Sequence, residues 1–223
     1  MKEKDSRPEL KVEVKRQEWE LMLEGEPVLR CVLTRPECTG TWKGLDAIGR
    51  YYSRVLEVWR NRWEKELYVH ACLDLVDRRA AGRPFRKWQA ELVTRVTLQE
   101  GGLLSLWQEG RETRGYDRPL MLRRGDTWSL AEGVPRTLAS FFPEDRRWKR
   151  KVLSQVAEQI QERLEGGESL LDRDCVGRLR REFDPENYCL TPEGIQLFFP
   201  MYTLAPGGEG IPVFTVALPG TGE

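Results

Sequence analysis

The sequence contains very little histidine and no excess of charge of either sign. One histidine, His70, stands among 223 residues, and 36 basic residues balance 36 acidic ones. A single histidine cannot supply a multi-histidine metal site, and nothing around it resembles a nucleophile with its base. The charge balance removes the usual electrostatic argument for a nucleic-acid or anionic-membrane partner. We therefore expect no metal, no cofactor and no catalytic histidine.

Long apolar runs are also missing. No stretch of 18 or more apolar residues occurs, so no membrane-spanning helix is predicted, and the N-terminal residues lack the apolar core of an export signal. The sequence as written predicts a cytoplasmic protein; the alternative is an extracytoplasmic one, if the sequence is a trimmed piece of a longer chain. Five cysteines form no C-x-x-C pair, which predicts free thiols: Cys31, Cys38, Cys72, Cys175 and Cys189.

The pattern of apolar residues predicts an α+β fold with antiparallel sheets and helices packed on one face. Residues 9–34 alternate apolar and polar side chains, as strands do, and 35–44 is a predicted loop. Apolar side chains recur every three to four residues over 45–70, which predicts a helix. We predict a single domain spanning 1–223, with two halves, about 1–90 and 91–223, as the alternative division.

The second half of the chain mixes short strands with two further predicted helices. Short turns predict hairpins, including one at Gly125-Asp126 between residues 120–123 and 128–130. A stripe of apolar residues spaced by four predicts a helix ending near Gly166, and a shorter helix is predicted over 169–183. From residue 188 onward the pattern predicts strands again.

Two features of the sequence could carry chemistry, and each also has a simpler role. The carboxylate pairs Asp172/Asp174 and Asp184/Glu186 could serve a hydrolase acting on cell-wall material, but solvated charges at the ends of the predicted helix over 169–183 are the favoured interpretation. The basic run at 146–151, which includes Trp148, could contact nucleic-acid phosphates in a cytoplasmic regulator. Because Trp148 also begins an apolar helix stripe, nucleic-acid binding is not the favoured interpretation.

The C-terminal residues resemble a known family. The run from Tyr188 to Pro206, YCLTPEGIQLFFPMYTLAP, with Gly210 and a closing strand at 213–218, is similar to the end of a bacterial domain of unknown function. That domain forms the extracytoplasmic part of RsiV-type anti-sigma factors and is appended to some peptidoglycan deacetylases. Residues 129–133 and 138–142 are similar to the segment that introduces the family's last helix. A family element, Y-x-G-G-A-H-G, is replaced here by GYDRPL at 115–120.

The resemblance implies an α+β sandwich and a non-catalytic binding module, because the family domain is best known as a lysozyme-sensing ectodomain. The partner would be lysozyme, another protein or a cell-envelope component, recognised by loops 111–119 and 200–211. A tryptophan beside a turn, such as Trp128, is an equal candidate for a recognition surface or for the edge of the core. The candidate partner-binding residues are Tyr116, Arg118, Trp128, Tyr202 and Pro206.

Overall fold

The computed structural model describes residues 9–167 and 169–218. The ends 1–8 and 219–223 of the predicted domain lie outside this part, as does Glu168. The strands are β1 (Leu10–Leu23), β2 (Glu26–Gly40), β3 (Trp88–Glu100), β4 (Leu103–Thr113), β5 (Leu120–Ser129), β6 (Val134–Pro135), β7 (Tyr188–Thr191), β8 (Gly194–Phe198) and β9 (Val213–Val216). The α-helices are α1 (Leu45–Arg62), α2 (Tyr68–Ala80), α3 (Trp148–Gly166) and the single turn α4 (Leu179–Glu182).

Strands β1 to β6 form one sheet in chain order, and β7 to β9 form a second. The α+β class is therefore confirmed. Neighbouring strands pair antiparallel except β2 and β3, which are parallel over Leu29–Leu33 and Trp88–Leu92. The helical connection between β2 and β3 explains the exception, since a crossover of this length returns the chain in the same direction.

The helical connection is longer than predicted. It continues past residue 70 to Ala80, and a π-helical turn at Trp63–Leu67 joins α1 to α2. His70 thus lies within α2, exposed to solvent, and not at the end of a helix. The π turn places the Trp63 side chain fully inside the core, packed against β2 and β3.

The small sheet lies on the face of the large sheet opposite α1. Side chains of β5 alternate: Asp126 contacts Tyr52 of α1, whereas Gly125 lies against the Tyr188 carbonyl of β7. The hydroxyl of Ser105 in β4 accepts the Leu190 N–H of β7 at 2.7 Å, which ties the two sheets together. Helix α3 then packs against the small sheet through the predicted stripe, which includes Val152, Val156 and Ile160. Helices therefore lie on both sides of the molecule.

Three predicted local structures are wrong. Residues 35–40 continue β2, because they pair with β1 as far as Gly40. The predicted hairpin at Gly125-Asp126 is a continuous strand. The predicted helix over 169–183 is an extended segment, a 3-10 turn at Cys175–Arg178 and α4. Its Asp172 N–H donates to the carbonyl of Leu204, a partner outside the segment.

The five cysteines are free thiols, as predicted, since none takes part in a disulfide. Cys31, Cys175 and Cys189 are buried. Within residues 9–167 and 169–218, no helix is both long and apolar enough to cross a membrane.

Candidate functional site

The two loops predicted to recognise a partner lie next to each other. A Cβ placed on Gly208 would be 3.2 Å from the guanidinium of Arg118, and one placed on Gly210 would be 2.9 Å from the Met121 Cε. Glu209 holds its loop in place by accepting the Leu170 N–H at 2.8 Å. Residues that are more than eighty positions apart thus form one surface beside the start of β5.

Tyr202 and Pro206 are exposed in the second of these loops. Tyr202 has a φ of 69°, one of two positive values among the described non-glycine residues. Its ring lies so close to Gly207 that a Cβ there would be 2.5 Å from the ring. A tyrosine held in the left-handed region costs roughly 1–3 kcal/mol, so the surrounding loop must enforce this conformation. The result is a tyrosine ring presented to solvent, 56% exposed.

Tyr116 and Arg118 share the first loop but contact different neighbours. Tyr116 is exposed and lies against the guanidinium groups of Arg78 and Arg86, 5.3 and 5.7 Å from its ring centre. Arg118 turns instead toward Gly208 and forms no salt bridge with any described residue. The two candidates therefore face different parts of the molecule: Tyr116 the arginines of α2 and of the segment before β3, and Arg118 the loop that contains Gly208.

Trp128 is not part of this surface, which corrects its assignment as a partner-binding residue. Its side chain is 3% exposed, because β5 directs it toward α1. The indole N–H donates to the Tyr52 hydroxyl at 2.8 Å, and that hydroxyl donates to the Asp126 carboxylate at 3.2 Å. Burial raises the pKa of Asp126 and raises the pKa of Tyr52 well above its usual value. This network belongs to the core.

The outer edge of β5 is open beside the two loops. β6 covers only Trp128 and Ser129 of that edge. Odd-numbered residues direct their backbone groups outward: Thr127 accepts the N–H of Arg136, and the side chain of Asn187 bonds the Gly125 N–H and the Arg123 carbonyl. By the same alternation, three further backbone groups point outward: the N–H and the carbonyl of Met121, and the N–H of Arg123. None of these has an outward partner among the described residues.

An apolar groove of about 510 Å³ runs along the helix side of this edge. Leu120 and Leu122 of β5 form one wall and Val58 of α1 the other, and all three are exposed. Trp59 forms the floor, over Gly110 of β4, where a Cβ would be 2.3 Å from the indole ring. Only glycine allows the indole to lie this close to the sheet. We call the groove, the open edge and the loops 114–119 and 200–210 together the edge surface.

A buried carboxylate supports one end of the groove. Glu112 accepts two hydrogen bonds from Arg62, at 2.8 and 3.0 Å, and one from the Trp63 indole at 3.2 Å. Arg62 pairs its charge and both of its oxygens accept hydrogen bonds, so it holds α1 and the π-helical turn against β4.

Three of the four carboxylates considered for a hydrolase have structural partners. Asp172 and Asp174 both bind the Arg178 guanidinium, at 2.5 and 3.3 Å. Asp184 accepts the Glu186 N–H at 2.9 Å, which closes a local turn. No group of three or more potential metal ligands occurs within the described ranges. Arg178 and the local turn therefore account for the positions of Asp172, Asp174 and Asp184.

The sequence did not predict the groove, nor the hydrogen bonds that the Asn187 side chain makes to the edge of β5. The alternation of side chains along 120–123 is that of any half-buried strand. It therefore does not reveal that the face of β5 carrying Leu120 and Leu122 stays exposed. Asn187 follows a turn and carries no motif. Gly110, a glycine inside a strand, was the available signal, because such a glycine often marks a close approach of another group.

A family model, "Protein of unknown function (DUF3298)", matches residues 139–218, and no curated protein matches. A DUF3298 family member from Bacteroides fragilis NCTC 9343 has a similar crystal structure, with a TM-score of 0.66 and 12% identity over 94% of this chain and 91% of that chain. The crystal structure of a DUF3298 family protein from Pseudomonas aeruginosa PAO1 is also similar, with a TM-score of 0.53 and 13% identity. The match covers 96% of this chain and 92% of that chain. At these identities the likeness shows the fold alone. Residues 139–218 therefore match the model of a family of unknown function, and the fold of the chain is similar to that of two crystallised proteins of the same family.

Proposed function

We propose that this chain is a non-catalytic module that binds a protein through the edge surface. The observation that carries the proposal is the unpaired stretch of β5 at Met121 and Arg123, flanked by an apolar groove on one side and an exposed loop on the other. An extended polypeptide can pair with such an edge and place alternate side chains on its two sides.

The two sides offer different surroundings to an added strand. One set of its side chains would enter the groove between Val58 and Leu122, and the other would face the loop that carries Tyr202. Hydrogen bonds to the edge would provide affinity, and the groove would provide selectivity. The exposed edge would otherwise favour self-association, which proteins usually prevent by covering or charging such edges.

The resemblance to RsiV-type ectodomains makes a C-type lysozyme the first partner to test. We expect saturable micromolar or tighter binding in a calorimetric titration at physiological salt. Leu122→Asp should weaken binding by about tenfold or more, because a carboxylate would be desolvated in the groove. Val76→Asp, an exposed apolar residue on α2, is the matched control and should bind as the wild type does.

Amide exchange locates the contact. Binding should protect the Met121 and Arg123 amides, which an open edge leaves exchangeable. If lysozyme does not bind, the probe is instead a set of peptides selected from a random peptide library for binding to the wild-type protein. Equal binding of such peptides to the wild type and to Leu122→Asp would refute the edge surface as the site. A cytoplasmic location stays a prediction, with an extracytoplasmic one implied by the resemblance.

A further inference from the structure

A second surface, separate from the edge surface, gathers cations that have no acidic partner. A cleft of about 710 Å³ lies where the start of α3 meets α4. Its lining consists of Arg146, Arg147, Trp148, Lys149, Arg150, Leu153, Arg180 and Phe183. Because Arg180 comes from α4, thirty residues beyond the basic run, folding assembles a cluster that the sequence shows only in part.

The five cations of the cleft form no salt bridge with any described residue, although acidic side chains are close. Asp145 pairs with Lys151 at 2.7 Å, and Glu182 pairs with Arg181 at 2.7 Å. Asp145 also accepts the backbone N–H of Arg147 at 2.8 Å, but neither acid forms a salt bridge with a cation that lines the cleft. Five cations held together beside one carboxylate repel one another, so this arrangement favours binding of an anion.

The start of α3 adds to the positive potential. The first turn of this 19-residue helix contains no acidic residue, and Arg147 at its N-cap makes no side-chain capping bond. The N–H groups of Lys149 and Arg150 have no acceptor within the helix. A helix N-terminus carries partial positive charge, so lysine and arginine are unfavourable there, and a bound anion would relieve that repulsion.

The aromatic wall favours a compact anion over a stacked nucleobase. Trp148 is stacked on Phe142, with ring centres 5.6 Å apart, and its edge meets Phe183. The Lys149 ammonium also lies over the indole, 5.5 Å from its centre. Since the indole already has these neighbours, it offers little free surface for the base stacking on which single-strand binding depends.

We propose that this cleft binds a phosphate group, carried by a small molecule or by a lipid headgroup. The guanidinium groups of Arg147 and Arg180 can each donate two parallel hydrogen bonds to phosphate oxygens, while the neighbouring cations neutralise the charge. Leu153 and Phe183 would contact the apolar part of the ligand next to the phosphate.

The test uses inorganic pyrophosphate as the probe in a calorimetric titration at low salt. We expect saturable binding that weakens as salt is added. The double variant Arg147→Glu/Arg180→Glu should weaken it by about tenfold or more. The matched control, Arg54→Glu/Arg83→Glu, changes the net charge equally at exposed arginines that form no salt bridge within residues 9–167 and 169–218, and it should leave binding unchanged.

Vesicles distinguish the two sources of the phosphate. Cosedimentation with phosphatidylglycerol vesicles but not with phosphatidylcholine vesicles would assign a lipid headgroup; pyrophosphate binding without cosedimentation would assign a free phosphate compound. The proposal fails if pyrophosphate does not bind, or if the control variant weakens binding as much as the cleft variant. It also fails if oligothymidylate binds far more tightly than pyrophosphate and requires Trp148, because the ligand would then be a single-stranded nucleic acid.

Discussion

The side chain of Asn187 completes hydrogen bonds at the edge of β5 beside Gly125. Its Oδ1 accepts the Gly125 N–H at 2.9 Å, and its Nδ2 donates to the Arg123 carbonyl at 3.1 Å. One amide therefore replaces the backbone of a neighbouring strand at the position where β6 no longer covers the edge. It also marks where the open edge begins.

Replacing Asn187 by alanine should both destabilise the protein and lengthen the open edge. Two partly buried backbone groups would lose their partners, at a cost of about 1–3 kcal/mol in the free energy of unfolding. Urea denaturation measures this loss, and light scattering should show more self-association. Asn61→Ala is the control, because the side chain of this half-buried asparagine of α1 makes no hydrogen bond to any residue that the structure describes. Equal stability of the two variants would show that Asn187 does not support the edge.

Tyr202 allows stability and binding to be separated. Because asparagine tolerates a positive φ better than tyrosine does, Tyr202→Asn should keep the stability or raise it by up to about 1 kcal/mol. The same change removes the exposed ring, so binding of a partner to the edge surface should weaken. Thermal unfolding and titration with the partner measure the two effects. A large loss of stability would instead give the ring a structural role over Gly207.

The class of the fold and its longest elements follow from periodicity in the sequence. The stripe of α3 and the alternation in β1 and β2 each reflect burial of one face, so local pattern and tertiary structure agree. Where they disagree, a distant group is responsible. The glycine at 125 is a turn signal in the sequence, but it allows the Tyr188 carbonyl to come close to β5. A Cβ at this position would be 2.4 Å from the carbonyl oxygen.

The predicted helix over 169–183 illustrates the same limit. Leu171, Cys175 and Leu179 are buried and spaced by four, as in a helix. The backbone nevertheless bonds elsewhere, since the Leu170 N–H donates to Glu209 and the Asp172 N–H to Leu204. These partners come from the loop that the resemblance implicated in recognition, and no spacing within the segment reveals them.

The thiols should differ sharply in reactivity between the folded and the unfolded protein. Burial raises the pKa of Cys31 to about 12 and that of Cys38 and Cys189 to about 11. Since only the thiolate is alkylated, iodoacetamide at pH 8 should leave these three unmodified in the native state. In urea all five cysteines should react. Mass spectrometry of the digested protein reports each site, and rapid native labelling of Cys31 would contradict its burial beneath α2.

Asp126 should make the stability of the protein decrease with rising pH. Burial raises its pKa in the folded state, and Arg124 and the Tyr52 hydroxyl offset only part of that effect. A raised pKa means that the folded protein holds this proton more tightly than the unfolded chain does. The stability that this bound proton contributes is therefore fully present below the pKa of Asp126 in the unfolded chain. It is lost as the pH rises through the pKa of Asp126 in the folded protein.

Asp126→Asn isolates this contribution, because asparagine does not titrate and can still accept the Tyr52 hydroxyl hydrogen. The difference in unfolding free energy between the variant and the wild type should move in favour of asparagine between pH 4 and pH 7. Urea denaturation of both proteins at several pH values measures this difference. A shift in favour of aspartate would mean that its attraction to Arg124 outweighs burial, and that the carboxylate is ionised beneath α1.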